Sequence, residues 1–294
     1  MPALPWEVAA KAALYGAVLT AIGACAIQSL LLPLLTDLRS GELEAVARAA
    51  ARVRTRAAGV VLAAEGLRAL AHTAAVFDWP SVLSLDSLHL VAIESRWGAS
   101  WKLQVAAAAV FLGASLWAGR RRTATRAFDG RGGAAAVAGV LLCYSMPLLG
   151  HGATTWWRFI LHGTHVLGAA LWTGTLAAVV LIGVQRETRL TLLRGLSPVA
   201  LSGAAVLGLA GVVLAWSYLG ALSNLWTTTY GRLLGLKLAL VCGTAACGFV
   251  NWRRFAAERA GASRREGARP VTIEIAVVAA VVIVTAALTE VAHP

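Results

Sequence analysis

Charge is scarce in this chain of 294 residues: 14% are Asp, Glu, Lys or Arg, against 59% hydrophobic, and the mean hydropathy is +0.72. That is too little charge to cover the surface of a soluble fold of this length, which excludes an ordinary water-soluble domain. Acid is scarcer than base, 14 residues against 26, and the formal net charge is +12. The basic residues nevertheless form no patch or tail of the kind a nucleic-acid binder carries. They come in bursts between long apolar runs rich in Ala, Leu, Val and Gly, as membrane topology signals do. Cysteine is rare too: Cys25, Cys143, Cys242 and Cys247 all lie inside apolar runs, with no CxxC pair. This excludes both a disulfide framework and a zinc ribbon. Methionine is almost missing, Met146 being the only one besides Met1.

What the sequence has instead is length of apolar run. A hydrocarbon core roughly 30 Å thick takes about 20 helical residues, and eight stretches qualify: 10–33, 56–76, 98–119, 133–150, 160–184, 198–219, 231–252 and 271–290. The expectation is an all-α polytopic membrane protein, an eight-helix transmembrane bundle forming one membrane domain over 1–294. The first stretch, with Ala24-Cys25-Ala26 resembling a cleavage site, is read as a helix rather than a signal peptide, because Glu7 precedes it and its run is too long.

Arginine placement predicts the direction. The connections after the first, third, fifth and seventh stretches hold Arg39 to Arg56, Arg120 to Arg131, Arg186 to Arg194 and Arg253 to Arg269, together most of the 26 basic residues. The positive-inside rule makes these connections cytoplasmic and both the N and C termini periplasmic. Trp6, Trp79, Trp97, Trp101, Trp156, Trp157, Trp226 and Tyr230 then mark an outer aromatic belt. Two halves, 1–131 and 132–294, echo each other: Trp97-Gly98 opens one helix that ends in arginines, and Tyr230-Gly231 opens another. Lys102 and Lys237 do not share that register. Four helices per half would make the repeats parallel in the membrane.

On this topology all six histidines fall on the outer side. Imidazole is the commonest metal ligand among side chains, so the expectation is an external metal site, the competing reading being amphipathic tips in the headgroup zone. His162 and His165, three apart, share a helix face with Cβ atoms about 5–6 Å apart, and a short connection brings His151 back toward them. Cys143 and Met146 share a face just inward of His151. Imidazole suits Cu(II) and thiolate or thioether suits Cu(I), so a path from His151, His162 and His165 to Met146 and Cys143 would suit a copper ion; the competing reading of the sulfur pair is helix packing. His72 and His293 are further candidates. Cys242 and Cys247, five apart, are read as packing.

The second stretch carries Glu65, Arg68 and His72 at spacings of three and four, one stripe inside an apolar span, where ionisable groups are costly and face the protein interior or a cavity. Glu65 and Arg68 either neutralise each other or form a charge-compensated floor for a cation or proton route.

These segments resemble the copper resistance protein D (CopD) family of bacterial inner-membrane proteins. The likeness is carried by Gly150-His151-Gly152 and by His165-Val-Leu-Gly-Ala-Ala-Leu-Trp172-Thr-Gly174-Thr-Leu. It continues in Thr229-Tyr230-Gly231-Arg232-Leu-Leu-Gly-Leu-Lys237-Leu-Ala-Leu, Asn251-Trp-Arg253-Arg254 and Leu288-Thr-Glu-Val-Ala-His293-Pro294. The resemblance implies movement of copper from periplasm to cytoplasm, with a small periplasmic copper-binding partner, CopC, acting in trans. His151 and His165 carry over onto the family's segments; His162 and His293 are features of this chain. The shortage of Met departs from a Met-lined copper path.

The leading expectation is a copper transport protein, not an enzyme, with copper ion as cargo and the lipid bilayer as its surroundings. Its candidate ligands are His151, His162, His165, His72, His293, Met146 and Cys143, with Glu65 and Arg68 as supporting or proton-carrying partners. Two alternatives stay open: a b-type haem electron-transfer protein, ligated by His from facing helices, and a copper-binding sensor or assembly factor without flux. No Walker motif is visible, which counts against an ATP-driven copper pump.

Overall fold

The computed structural model describes residues 4–119, 130–150, 154–259 and 269–293. Among them helices alone make the fold, with no strand. α1 (Pro5–Ala26) starts with a proline whose fixed φ suits the first helical position. It runs on through a π-helical turn, Ile27–Leu31, and ends in a 3-10 turn, Leu32–Leu34, around Pro33. α2 (Ser40–Val76) is the longest helix, at 37 residues. Its start is fixed by Glu42, whose carboxylate accepts the Arg39 backbone N–H at 2.9 Å.

After α2 come a 3-10 turn (Pro80–Leu83), the short α3 (Leu85–His89) and a π-helical turn (Leu90–Glu94). Then follow α4 (Arg96–Gly119) and α5 (Gly130–Ser145), which Pro147 ends in a 3-10 turn. α6 (Trp156–Ala169) and α7 (Thr175–Leu181) form one membrane-length rod, joined by the π-helical turn Ala170–Gly174. α8 (Arg186–Gly195) is a connecting helix with three arginines. α9 (Ser197–Leu219), the single turn α10 (Asn224–Thr227), α11 (Thr229–Arg259) and α12 (Arg269–Leu288) complete the chain.

Eight of these helical rods are long and apolar enough to cross a membrane: Pro5–Leu34, Ser40–Val76, Arg96–Gly119, Gly130–Leu148, Trp156–Leu181, Ser197–Leu219, Thr229–Arg254 and Val271–Leu288. The number and order expected from apolar run length are therefore met. The second begins 16 residues earlier than the expected 56, because the arginines read as a loop are helical. Arg54 in particular turns inward and is buried. Its guanidinium donates to the Gln28 side chain of the π-helical turn after α1, and to the Ser115 carbonyl of α4 at 3.1 Å.

The described residues form two compact units, within Ala3–Leu214 and within Ala215–Pro294. In the first, the core is built from α1, α2, α4 and α5 around Leu14, Val18, Ile22, Val61, Phe111 and Leu142. Lipid tails are as apolar as these side chains, so packing and small residues hold such helices together. Gly23 of α1 lies directly against the backbone of Gly174, where no side chain fits. The second unit is built on the hairpin of α11 and α12. There Asn251 donates to the Glu274 carboxylate at 2.7 Å inside the pair.

Candidate functional site

The stripe on α2 is where the first unit concentrates polar groups. Arg68 is buried and donates from Nη1 to Gln104 Oε1 of α4 at 2.9 Å. Gln104, equally buried, donates in turn from Nε2 to the Ser145 carbonyl at 3.2 Å and toward Met146 Sδ at 3.6 Å. A guanidinium, an amide and a thioether from three helices thus form one chain inside the apolar bundle. The stripe on α2 and the sulfur of Met146, two separate expectations, are brought together by Gln104. Sequence reasoning passed over that residue; its signal was an uncharged amide alone in an apolar run, on the face of α4 opposite its many exposed side chains.

Arg68 gives its Nη1 donor to Gln104 and not to Glu65. Glu65 is 0% exposed, and among the described residues neither carboxylate oxygen has a hydrogen-bond partner. Its backbone carbonyl is held by Trp101 Nε1 at 3.1 Å. Two turns along α2, His72 Nδ1 stands 3.3 Å from Glu7 Oε1 of α1, and its ring stacks on Trp97 at 4.2 Å. Glu7 was read only as a charge ahead of the first helix; 65 residues separate it from His72, and no local pattern links them. Together these groups run from the half-buried His72 inward to Glu65, Arg68, Gln104 and Met146.

The histidines of α6 lie elsewhere in the same unit. His165 Nδ1 is 3.1 Å from the Leu207 carbonyl of α9, and its ring lies against Gly211, where a Cβ would meet Cε1 at 3.0 Å. A carbonyl only accepts, so Nδ1 donates in this contact and the ring's orientation is fixed by it, as outer-shell partners fix metal-ligating histidines. His162 is half-buried one turn earlier on α6. His151 lies outside the described residues, so two of the three expected histidines are placed. Among the described residues, no group of three or more His, Cys, Asp or Glu side chains is arranged to hold a metal ion.

Cys143 is fully buried in the core beside Leu142. Met146 lies just past the end of α5, also buried. His293 belongs to the second unit, where its ring stacks on Tyr218 at 5.0 Å and meets Tyr230 edge-on at 6.3 Å. Of the remaining thiols Cys25 is buried, Cys247 partly so and Cys242 exposed.

Comparison with known proteins adds a family. Residues 190–288 match copper resistance protein D. The CopD match covers less than half of the chain, from within α8 to the end of α12, and supports the family likeness read from the sequence. No curated protein and no solved structure matches the chain. The CopD family points to copper resistance or transport, and the eight apolar rods make this a multi-pass membrane protein. None of the candidate ligands named above falls within 190–288.

Proposed function

We propose that the protein is a copper transporter of the bacterial inner membrane. Copper is captured on the periplasmic face by His151, His162 and His165, then passes between the helices toward the cytoplasm without covalent chemistry. The observation that carries this reading is the CopD match over 190–288. It is supported by the polar chain through the first unit, because ionisable groups inside a membrane mark ion and substrate pathways. The Nδ1 contact of His165, which fixes the orientation of its ring, supports it further. Met146, tied to Gln104, and the deeply set Cys143 supply the soft atoms that a cuprous ion prefers. His72 and His293 are additional ligands near helix ends, both termini lie in the periplasm, and a CopC-like protein delivers copper in trans.

The test is copper content and affinity of the detergent-purified protein under oxidising and reducing conditions, against a His151→Ala, His162→Ala, His165→Ala triple variant. Stoichiometric copper lost in the triple variant, with inward flux in proteoliposomes, is the expected result. Absence of copper binding in both redox states would overturn this reading, and a Soret band after haem supplementation would replace it with the haem one. Binding without flux would make the protein a sensor.

A further inference from the structure

Glu65 is the one side chain of the buried polar track whose own demand for hydrogen bonds is unmet. Both carboxylate oxygens are shielded and without a donor, although Trp101 reaches the backbone of the same residue. Arg68, one turn along, is turned to Gln104 instead. An ionised carboxylate placed among apolar side chains, with no donor, is the costliest form this group can take, and such groups neutralise instead. A carboxyl that carries a proton needs only weak partners.

We propose that Glu65 holds a proton in the conformation described here and exchanges it for the copper ion that moves through the first unit; this rests on the transport reading above. The charges balance. With Glu65 protonated and Arg68 cationic, the site carries a single positive charge. A cuprous ion taken up by the soft thioether of Met146, on the same track, as the Glu65 O–H bond breaks leaves that total unchanged, and the proton departs to water. Without loss of the proton, the same ion would double a positive charge buried in an apolar bundle.

The proton's exit is the stripe itself. His72 stands two turns from Glu65, about 10 Å along the helix, and its Nδ1 faces Glu7. Charged and titratable groups around the site are few. α2 itself contributes Arg68 and His72. Glu7, Lys11 and Tyr15 belong to α1, whose start pairs with the end of α2. From α4 come the neutral Gln104 and Trp101, while Lys102 turns away to the Ile93 carbonyl. The segments after α2 bear Asp78, Asp86 and the exposed His89–Glu94 pair, and Arg96 starts α4; α7 and the π-helical turn after α1 bear no charge.

Infrared difference spectroscopy of the detergent-purified full chain tests this, comparing wild type with Glu65→Gln and Glu65→Asp. At neutral pH the wild type should show a protonated-carboxyl band that is lost in Glu65→Gln and shifted in Glu65→Asp. Cuprous ion added under reducing conditions should bleach that band and release a proton for each ion bound, into a weakly buffered dye solution. A spectrum with no Glu65-dependent acid band at neutral pH overturns the proposal. So does copper binding that depends on the three histidines yet leaves the band intact, an outcome that spares the transport reading. Failure of any copper to bind overturns the exchange together with that reading.

Discussion

The two compact units divide the molecule's properties unequally. The first buries Arg54 and Glu65 and the hydrogen-bonded chain of Arg68, Gln104 and the Ser145 carbonyl inside an apolar bundle. The second buries the hydrogen-bonded pair Asn251 and Glu274 and leaves much of α11 exposed. Family likeness runs the other way: the CopD match covers α11 and α12 and stops short of every candidate ligand. The Arg68–Gln104 chain and Glu65 lie in helices outside the matched span, whereas the Asn251–Glu274 pair lies inside it. Buried polar groups are costly in membrane helices when they lose a partner, so the first unit should depend on single hydrogen bonds more than the second.

That contrast can be pressed by mutation. Gln104→Leu should be the most damaging, because it removes the acceptor of a buried guanidinium and strands Met146 and Ser145 together. A loss of about 3 kcal/mol is expected, read as a large drop in thermal midpoint in detergent; an unchanged midpoint would mean that Arg68 finds another acceptor. Gly23→Val comes next. Its side chain would be driven into the backbone of Gly174, for a cost of about 2 kcal/mol, and crosslinking between cysteines introduced on α1 and α7 would report the displacement.

Asn251→Leu in the second unit should cost about 1 kcal/mol, the lower part of the range for an orphaned acceptor, because the hairpin can relax toward its exposed side. A loss equal to that of Gln104→Leu would erase the proposed difference between the units. The smallest effect belongs to Asp78, in the turn after α2. There the Ser81 hydroxyl and then its backbone N–H, 3.0 Å from Oδ1, hold the carboxyl below its ordinary range. A depressed folded value means that the stabilisation is present above the unfolded value and fades as pH falls through the folded one. Asp78→Asn should abolish that acid-side change in hydrogen-exchange protection of the Ser81 amide and do little at neutral pH.

The spans were legible in the sequence because each requires only a long apolar run. The start of α2 was not, since Arg48 to Arg56 read as a cytoplasmic loop until Arg54 is seen to reach Gln28 and Ser115. The α2 stripe was legible by spacing, but its partners were not. Gln104 lies 36 residues from Arg68 and Glu7 lies 65 from His72, and only helix packing brings them together. The spacing of Glu65 and Arg68 left open mutual neutralisation or a charge-compensated floor. Spacing cannot reveal that a third side chain competes for the guanidinium. The pairing of His162 with His165 on one helix followed directly from their three-residue interval.

The π-helical turn Ala170–Gly174 sits between two demands on one rod. Upstream, His165 must meet the Leu207 carbonyl; downstream, Gly174 must lie against Gly23. Each residue of an α-helix advances about 100° around its axis, and a π turn contains one residue more than an α turn would. That extra residue acts as a phase shifter, setting the azimuth of the histidine end against that of the glycine end. Deleting one residue there would restore a regular helix and leave one of the two contacts pointing roughly a quarter turn away from its partner. The rod can satisfy α9 and α1 at once only because its winding is locally out of step.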